Sequence, residues 1–265
     1  MPGNPYREIE NGGPGRIGWR IHYFDEAGST QRIAAELAEQ GAGEGTVVIA
    51  ESQSAGRGRM GRQWHSPSGV NLYTTIILRP VMPLSEVARL SLVAGVAMAE
   101  ALETVAPGMV AVKWPNDVWL GGRKAGGIIA EAVTDARQRL SCVLLGIGVN
   151  LNLAAAQIPV ELRGTATSVR LATGRPCDRI ALAAALFKRL DTRYMEAVTQ
   201  GFHALRPVWE RYSVLTGRRV TVFDNGVSVT GLVMGIDDDG ALVLDTGGGA
   251  SRILTGDVSV EGAYH

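Results

Sequence analysis

The sequence predicts an α+β fold: a mixed, mostly antiparallel sheet with flanking helices, followed by a small C-terminal β-barrel. Three observations lead there. The elements run strand, helix, two strands, helix, several strands, helices, without the steady βα alternation of a doubly wound sheet. The period changes near residue 215, where short β-rich runs begin, parted by Asp224-Asn225-Gly226, 237–240 and 247–249; that is the spacing of a small antiparallel barrel. Apolar residues make up 46% of the 265, enough for a sizeable core and against wholesale disorder.

Residues 1–17 are polar and rich in Gly and Pro, and read as a flexible arm. Residues 19–24 have strand composition. Ser29 or Thr30 can cap a short helix over 31–40, in which Ile33, Ala34, Leu37 and Ala38 share a face. The glycines of 41–45 end it. The β-branched run 46–51 reads as a strand, 53–70 as a loop of Gly, Arg and Ser, and 71–79 as another strand. A long helix is expected over 83–106, closed by Pro107-Gly108. Short strands follow at 110–113, 118–120, 127–133 and 140–150, with Gly121-Gly122 as a hairpin turn. Residues 151–177 are irregular, and 178–199 and 202–212 read as helices. Strands at 219–223, 227–236, 241–245 and 251–254 build the barrel. The expected units are an arm, 1–17, a main domain, 18–215, and the barrel, 216–265.

Lys+Arg and Asp+Glu both number 26, so the net charge is zero, which argues against a general nucleic-acid binder. No apolar run reaches the ~18–20 residues that span a bilayer, and the N-terminus lacks the apolar stretch of a signal peptide. A cytoplasmic protein with no membrane partner is expected. The two cysteines, Cys142 and Cys177, make neither a disulfide framework nor a four-Cys metal site, and the four histidines show no ligand spacing.

Chemistry concentrates in four segments. Gln53 and Gly56–Trp64, read GRGRMGRQW, follow a strand and contain a formal GxGxxG. A dinucleotide fingerprint would open an apolar helix; here arginines fill the variable positions and Pro67 follows, so that reading is rejected. Three arginines in six residues with glycines for close backbone approach suit a loop closing over a carboxylate and phosphates. A solvated basic loop is the plain alternative. Lys113-Trp-Pro-Asn116-Asp117-Val118 places a cation, an amide and a carboxylate within five residues, a set that can hold a phosphate, a ribose and Mg²⁺; taken alone, an ordinary Pro-Asn-Asp turn is the better reading. In Arg123-Lys124-Ala-Gly126-Gly127-Ile-Ile-Ala-Glu131 a hairpin delivers Lys124, and the glycines would let a flat ligand lie on the backbone. Gly146-Ile-Gly148-Val-Asn150 is weaker, with Asn150 able to point a polar group into a site.

Together with Gly28-Ser29-Thr30, these segments resemble the biotin protein ligase family in order and spacing, from about residue 20 to the end. The resemblance implies a fold like the class II aminoacyl-tRNA synthetases with an SH3-like C-terminal barrel. It implies ATP-dependent attachment of biotin, through biotinyl-5′-AMP, to a lysine of a biotin carboxyl carrier domain. By position, Ser29, Thr30, Gln53, Gly56, Arg57, Lys124 and Gly127 match the biotin-binding residues. Arg59, Trp64, Lys113, Asn116 and Asn150 match the nucleotide side, and Asp117 the Mg²⁺ position. Arg59, Lys113 and Lys124 are the expected catalytic cations. ATP and biotin enter as substrates, with Mg²⁺. The family usually shows Ser-Thr-Asn after the first strand, and this chain has Gln31 in the Asn position. A lipoate or octanoate ligase of related fold would not need the ring-directed Ser29, Thr30 and Gln53, and an RNA-binding module is disfavoured by the neutral charge and sparse aromatics. A homodimer is compatible with the sequence.

About 20 polar residues precede the main domain, too few for the helix-turn-helix that many family members carry. Specific binding to a biotin operator is therefore expected to be absent, and a gel shift at sub-micromolar protein, with and without biotin and ATP, checks it: a sequence-specific band would overturn the expectation.

Overall fold

In the computed structural model the described residues are 4–11, 15–224 and 226–260. Parts of the expected arm (1–3 and 12–14), Asn225 of the first C-terminal turn, and 261–265 lie outside them.

The main domain is built on a seven-stranded sheet of order β1-β2-β3-β7-β6-β5-β4. Its strands are β1 (Arg20–Phe24), β2 (Thr46–Ala50), β3 (Leu72–Leu78), β4 (Val110–Lys113), β5 (Asp117–Leu120), β6 (Arg123–Thr134) and β7 (Leu140–Val149). β1 and β2 pair in parallel, joined through helix α2 (Thr30–Glu39); every other neighbouring pair is antiparallel. The expectation of a mostly antiparallel mixed sheet therefore holds.

One face of the sheet packs on α3 (Arg89–Glu103), which in turn packs on α5 (Arg179–Gln200) and α6 (Arg206–Tyr212). α3 is buried almost all round because it lies between the sheet and α5, and its small residues Ala94, Gly95 and Ala97 admit close approach. α2 lies on the opposite face, over β2, β3 and β7, and covers only part of it. The uncovered remainder of that face is where the cavity lies.

The long helix expected over 83–106 is shorter. A 3₁₀ turn at Leu84–Glu86 precedes α3, because Pro83 is extended and leaves only one tight turn before the helix proper. β6 starts at Arg123, four residues before the expected 127, since the Gly121-Gly122 turn pairs Arg123 with Leu120 at once. The irregular stretch contains α4 (Val169–Thr173), capped by the Ser168 hydroxyl and ended by left-handed Gly174.

The described part of the arm is not loose. Residues Arg7–Asn11 form α1, and Tyr6 is 1% exposed, with its ring 6.0 Å from that of Tyr23. Glu10 accepts a 2.6 Å hydrogen bond from the Ile21 amide and Asn4 donates to the Ile21 carbonyl, so side chains satisfy the outward backbone groups of edge strand β1. The sequence missed this because polar composition does not reveal one aromatic anchor.

The C-terminal unit is a five-stranded antiparallel sheet of order β11-β10-β9-β8-β12, from β8 (Arg219–Asp224), β9 (Val227–Ile236), β10 (Leu242–Asp245), β11 (Ala250–Ile253) and β12 (Asp257–Val260). Its edge strands do not pair with each other among the described residues, so the sheet is open there, where the sequence predicts a barrel. β12 was not expected; four residues near the chain end are too short a pattern to register. Trp114 Nε1 donates to the Gly240 carbonyl at 3.0 Å, and Arg89 holds Asp239 at 2.6 Å. The acidic 237–239 turn is thus fastened to the main domain rather than left as free negative surface.

Replacing Tyr6 by Ala should cost about 3 kcal/mol of stability, the usual loss for a fully buried aromatic. Its buried hydroxyl has no hydrogen-bond partner among the described residues, so Tyr6→Phe should be neutral or slightly stabilising. Chemical denaturation midpoints of the two variants check this.

Candidate active site

Side chains alternate across a strand, so one face of β3, β7 and β6 carries three rows. Tyr73, Gly148 and Gly127 form one row, and Thr75, Gly146 and Ile129 the next. Ile77, Leu144 and Glu131 form the third. The glycines leave the middle of this face without side chains, and other elements fill it. A Cβ on Gly148 would lie 2.6 Å from the Trp64 indole, and one on Gly127 would lie 3.1 Å from it. A Cβ on Gly146 would lie 2.6 Å from Gln31 Oε1. The flat group on the glycine backbone is therefore Trp64 of the chain itself. Gly126 does other work: on the opposite face it makes room for Met98 of α3.

A cavity of about 560 Å³ opens over this face. At one end Thr30 opens α2. Its amide and hydroxyl both donate to Gln53 Oε1, at 2.9 and 3.1 Å, and Gln53 Nε2 donates to Ser66 at 3.1 Å. Ser29 sits at the helix N-cap, but its hydroxyl does not cap the helix. At the other end lie cations. Lys124 Nζ is 2.6 Å from Asp117 Oδ1 and 5.5 Å from the centre of the Trp64 ring. Lys113 pairs with Asp117 across the β4–β5 turn, its Nζ 5.0 Å from the Trp119 ring centre. Burial pushes the Lys113 ammonium below its ordinary pKa, with Asp117 pulling the other way.

Residues 56–64 form a small hairpin rather than an open loop. Trp64 N donates to the Gly56 carbonyl, Gly58 N to that of Arg62, and Arg57 bridges Gln63. Met60, at its tip, takes φ 56°, a left-handed conformation costly for a side-chain-bearing residue. Arg59 donates to Asn116 Oδ1 at 3.1 Å, while Asn116 Nδ2 donates to the Ile128 carbonyl at 2.8 Å. Arg62 pairs with Asp257 of β12, so the C-terminal sheet holds the hairpin from outside.

The structure brings Ser29, Thr30, Gln53, Arg57, Arg59, Trp64, Lys113, Asn116, Asp117, Lys124, Gly127 and Asn150 to this cavity. Gly56 does not line it. It is the buried base of the hairpin, where a Cβ would meet Ser66 and the Trp64 carbonyl at 2.7 Å. Asn150 reaches the wall, but its amide is used inside: Nδ2 donates to the Thr167 carbonyl and Oδ1 accepts from Asn71. These bonds make it a strut holding the strand end. Sequence reading missed Thr75 and Asp257 as parts of the site. Thr75 carried no motif of its own, and Asp257 sits in a distant strand.

Residues 23–150 match the model of the Biotin/lipoate A/B protein ligase family, and 215–260 that of the Biotin protein ligase C terminal domain. Over 249 residues the chain is 35% identical to the biotin--[acetyl-CoA-carboxylase] ligase of Mycobacterium tuberculosis, covering 91% of this chain and 89% of that one. The chain belongs to the biotin protein ligase family.

The ligase is also 36% identical over 244 residues to the bifunctional ligase/repressor BirA of Bacillus subtilis, covering 92% of its own length and 75% of the relative's. Its fold matches the biotin protein ligase from Aquifex aeolicus in complex with biotin and ATP, with a TM-score of 0.80 at 30% identity, over 91% of this chain and 98% of that one. No described helix of the ligase is long and apolar enough to cross a membrane.

The Arg62–Asp257 pair is exposed and contributes under about 1 kcal/mol to global stability, yet it fastens the hairpin. Asp257→Asn should therefore speed tryptic cleavage within 56–64 several-fold with little change in melting temperature. Limited proteolysis followed by mass spectrometry measures it.

Proposed function

We propose that this ligase attaches biotin to a lysine of a biotin carboxyl carrier domain in two ATP-dependent steps. One observation carries the reading: a single cavity joins a neutral, hydrogen-bonding end at Thr30 and Gln53 to a cationic end formed by Arg57, Arg59, Arg62, Lys113 and Lys124. A bicyclic urea with a carboxylate tail suits the first end, and a triphosphate the second.

In the first step a carboxylate oxygen of biotin attacks the α-phosphorus of ATP. The bond to the bridging oxygen breaks and pyrophosphate leaves, giving biotinyl-5′-AMP. Two anions must meet, so cations placed in advance lower the barrier. Lys124, held against Asp117, is set to take the biotin carboxylate, and Lys113 and Arg59 the phosphates. In the second step the carrier lysine amine attacks the acyl carbon, the acyl–phosphate bond breaks, AMP leaves, and the amine loses a proton. The Trp64 and Trp119 rings line the cavity, and their indole N–H groups are buried with no hydrogen-bond partner among the described residues. The hairpin shields the anhydride from water while Arg62 is latched to Asp257.

The described residues contain no cluster of three or more metal-ligating side chains. The donor set thus fits Mg²⁺ only as the Asp117 carboxylate supplemented by phosphate oxygens and water, a pattern ordinary for this ion. When bound it would neutralise triphosphate charge. We read the C-terminal meander, whose last strand returns to the first, as the SH3-like unit 216–265, and the main domain as 18–215. A cytoplasmic site of action goes with this reading.

The same family model covers lipoate ligases. The hydrogen-bonding end favours biotin, because a dithiolane offers no N–H or carbonyl to Thr30 and Gln53. ATP–pyrophosphate exchange should accordingly run with biotin and not with lipoate. Lys124→Ala should lower that exchange by two orders of magnitude or more while the fold survives by circular dichroism. Exchange near the level of the unaltered protein would remove Lys124 from the role.

A further inference from the structure

The hairpin carries three arginines, all at the cavity, and they are held differently. Arg57 and Arg62 are exposed, and Arg62 pairs with Asp257. Arg59 is half-buried. Its guanidinium has one polar contact among the described residues, the 3.1 Å hydrogen bond from Nη1 to Asn116 Oδ1. That partner is neutral, so it leaves the charge of the arginine uncompensated.

Asn116 is itself held by one residue of β6. Its carbonyl accepts from the Ile128 amide at 2.9 Å, and its Nδ2 donates to the Ile128 carbonyl at 2.8 Å. A main-chain carbonyl can only accept, so the Nδ2 end faces Ile128. A guanidinium can only donate, so the Oδ1 end faces Arg59. Either neighbour alone gives the amide the same direction. Asp117, the next residue, meets Lys124 at 2.6 Å instead. Adjacent residues of one turn thus receive the two cations in different ways, a carboxylate for the lysine and an amide for the arginine. A carboxylate at 116 would pair with Arg59 and offset the charge that attracts a phosphate; the amide holds the arginine by a hydrogen bond alone.

We propose that Asn116 is a positioning residue for Arg59. It seats the guanidinium on the β4–β5 turn that also carries Lys113, with the remaining N–H groups unused by the protein and left for a triphosphate. This deepens the biotin-ligase reading and rests on it: Asn116 serves the nucleotide through Arg59. The seat is also an inner tether for the hairpin, different in kind from the outer Arg62–Asp257 ion pair.

The experiment is ATP–pyrophosphate exchange with biotin on the full chain, for the unaltered protein, Arg59→Ala, Asn116→Ala and the double variant, each with its fold checked by circular dichroism. Both single variants should raise the KM for ATP, Asn116→Ala by about tenfold, the worth of one hydrogen bond to a charged group. The KM for biotin should stay within about twofold. Adding Asn116→Ala to Arg59→Ala should change the ATP KM by less than about twofold, because the group it seats is already gone. Tryptic cleavage within 56–64, without substrates, gives a readout independent of activity: Asn116→Ala should speed it several-fold at an unchanged melting temperature. Effects that multiply in the double variant would make Asn116 a direct nucleotide contact or a general support of the turn, and would overturn the proposal. An unchanged ATP KM or unchanged cleavage in Asn116→Ala would overturn it as well. If the unaltered chain does not exchange pyrophosphate with biotin, the ligase reading falls, and the cleavage result still decides whether Asn116 seats Arg59.

Discussion

The site depends on one constraint: a β-sheet face stripped of side chains has to be covered by something else. Gly127 and Gly148 are directly paired across β6 and β7, and Gly146 lies two residues away on the same face. With no side chains there, the sheet cannot bury that area by itself. The Trp64 indole settles on one glycine pair, and Gln31 reaches into the space over the third. The space between these two coverings and the β4–β5 turn becomes the cavity. A side chain at any of the three positions would collide with its cover at about 3 Å or less.

Electrostatics acts on this geometry. Five cations converge at the mouth, and the acidic residues among them are Asp117, held by Lys124, and Asp257, held by Arg62. Close like charges repel, so such a cluster is stabilised when an anion enters it. A triphosphate and a carboxylate supply that charge together. Arg62 is fastened at the edge of this cluster by its exposed pair with Asp257.

The C-terminal sheet is tied to the main domain around the site by a hydrogen bond and two ion pairs. Trp114, one residue after Lys113, is pinned by the Gly240 carbonyl; Arg89 at the start of α3 holds Asp239; Asp257 holds the hairpin. The small unit therefore braces the turn that carries Lys113, Asn116 and Asp117 as well as the hairpin whose Arg59 contacts Asn116.

Sequence alone determined much of this protein. Periodicity places α2, β2, β3, β7 and α5 near their observed positions, because their burial is one-sided or complete over enough residues to leave a pattern. The GRGRMGRQW, KWPNDV and RKAGG segments mark the site by residue type, since chemistry with anions needs cations and close backbone approach wherever the chain runs. Tertiary structure decided what depends on partners distant in sequence. Asn150 became a strut because Asn71 and Thr167 claim its amide, and Gly56 a hairpin base because Ser66 folds back over it. Tyr6 became an anchor because β1 is an edge with room beside it, and Glu131 meets Gln31, 100 residues earlier, only because β6 sets it opposite Leu144. A residue's type constrains what it can donate, accept or bury. Which of those capacities is used is fixed by the groups the fold brings within about 3 Å of it.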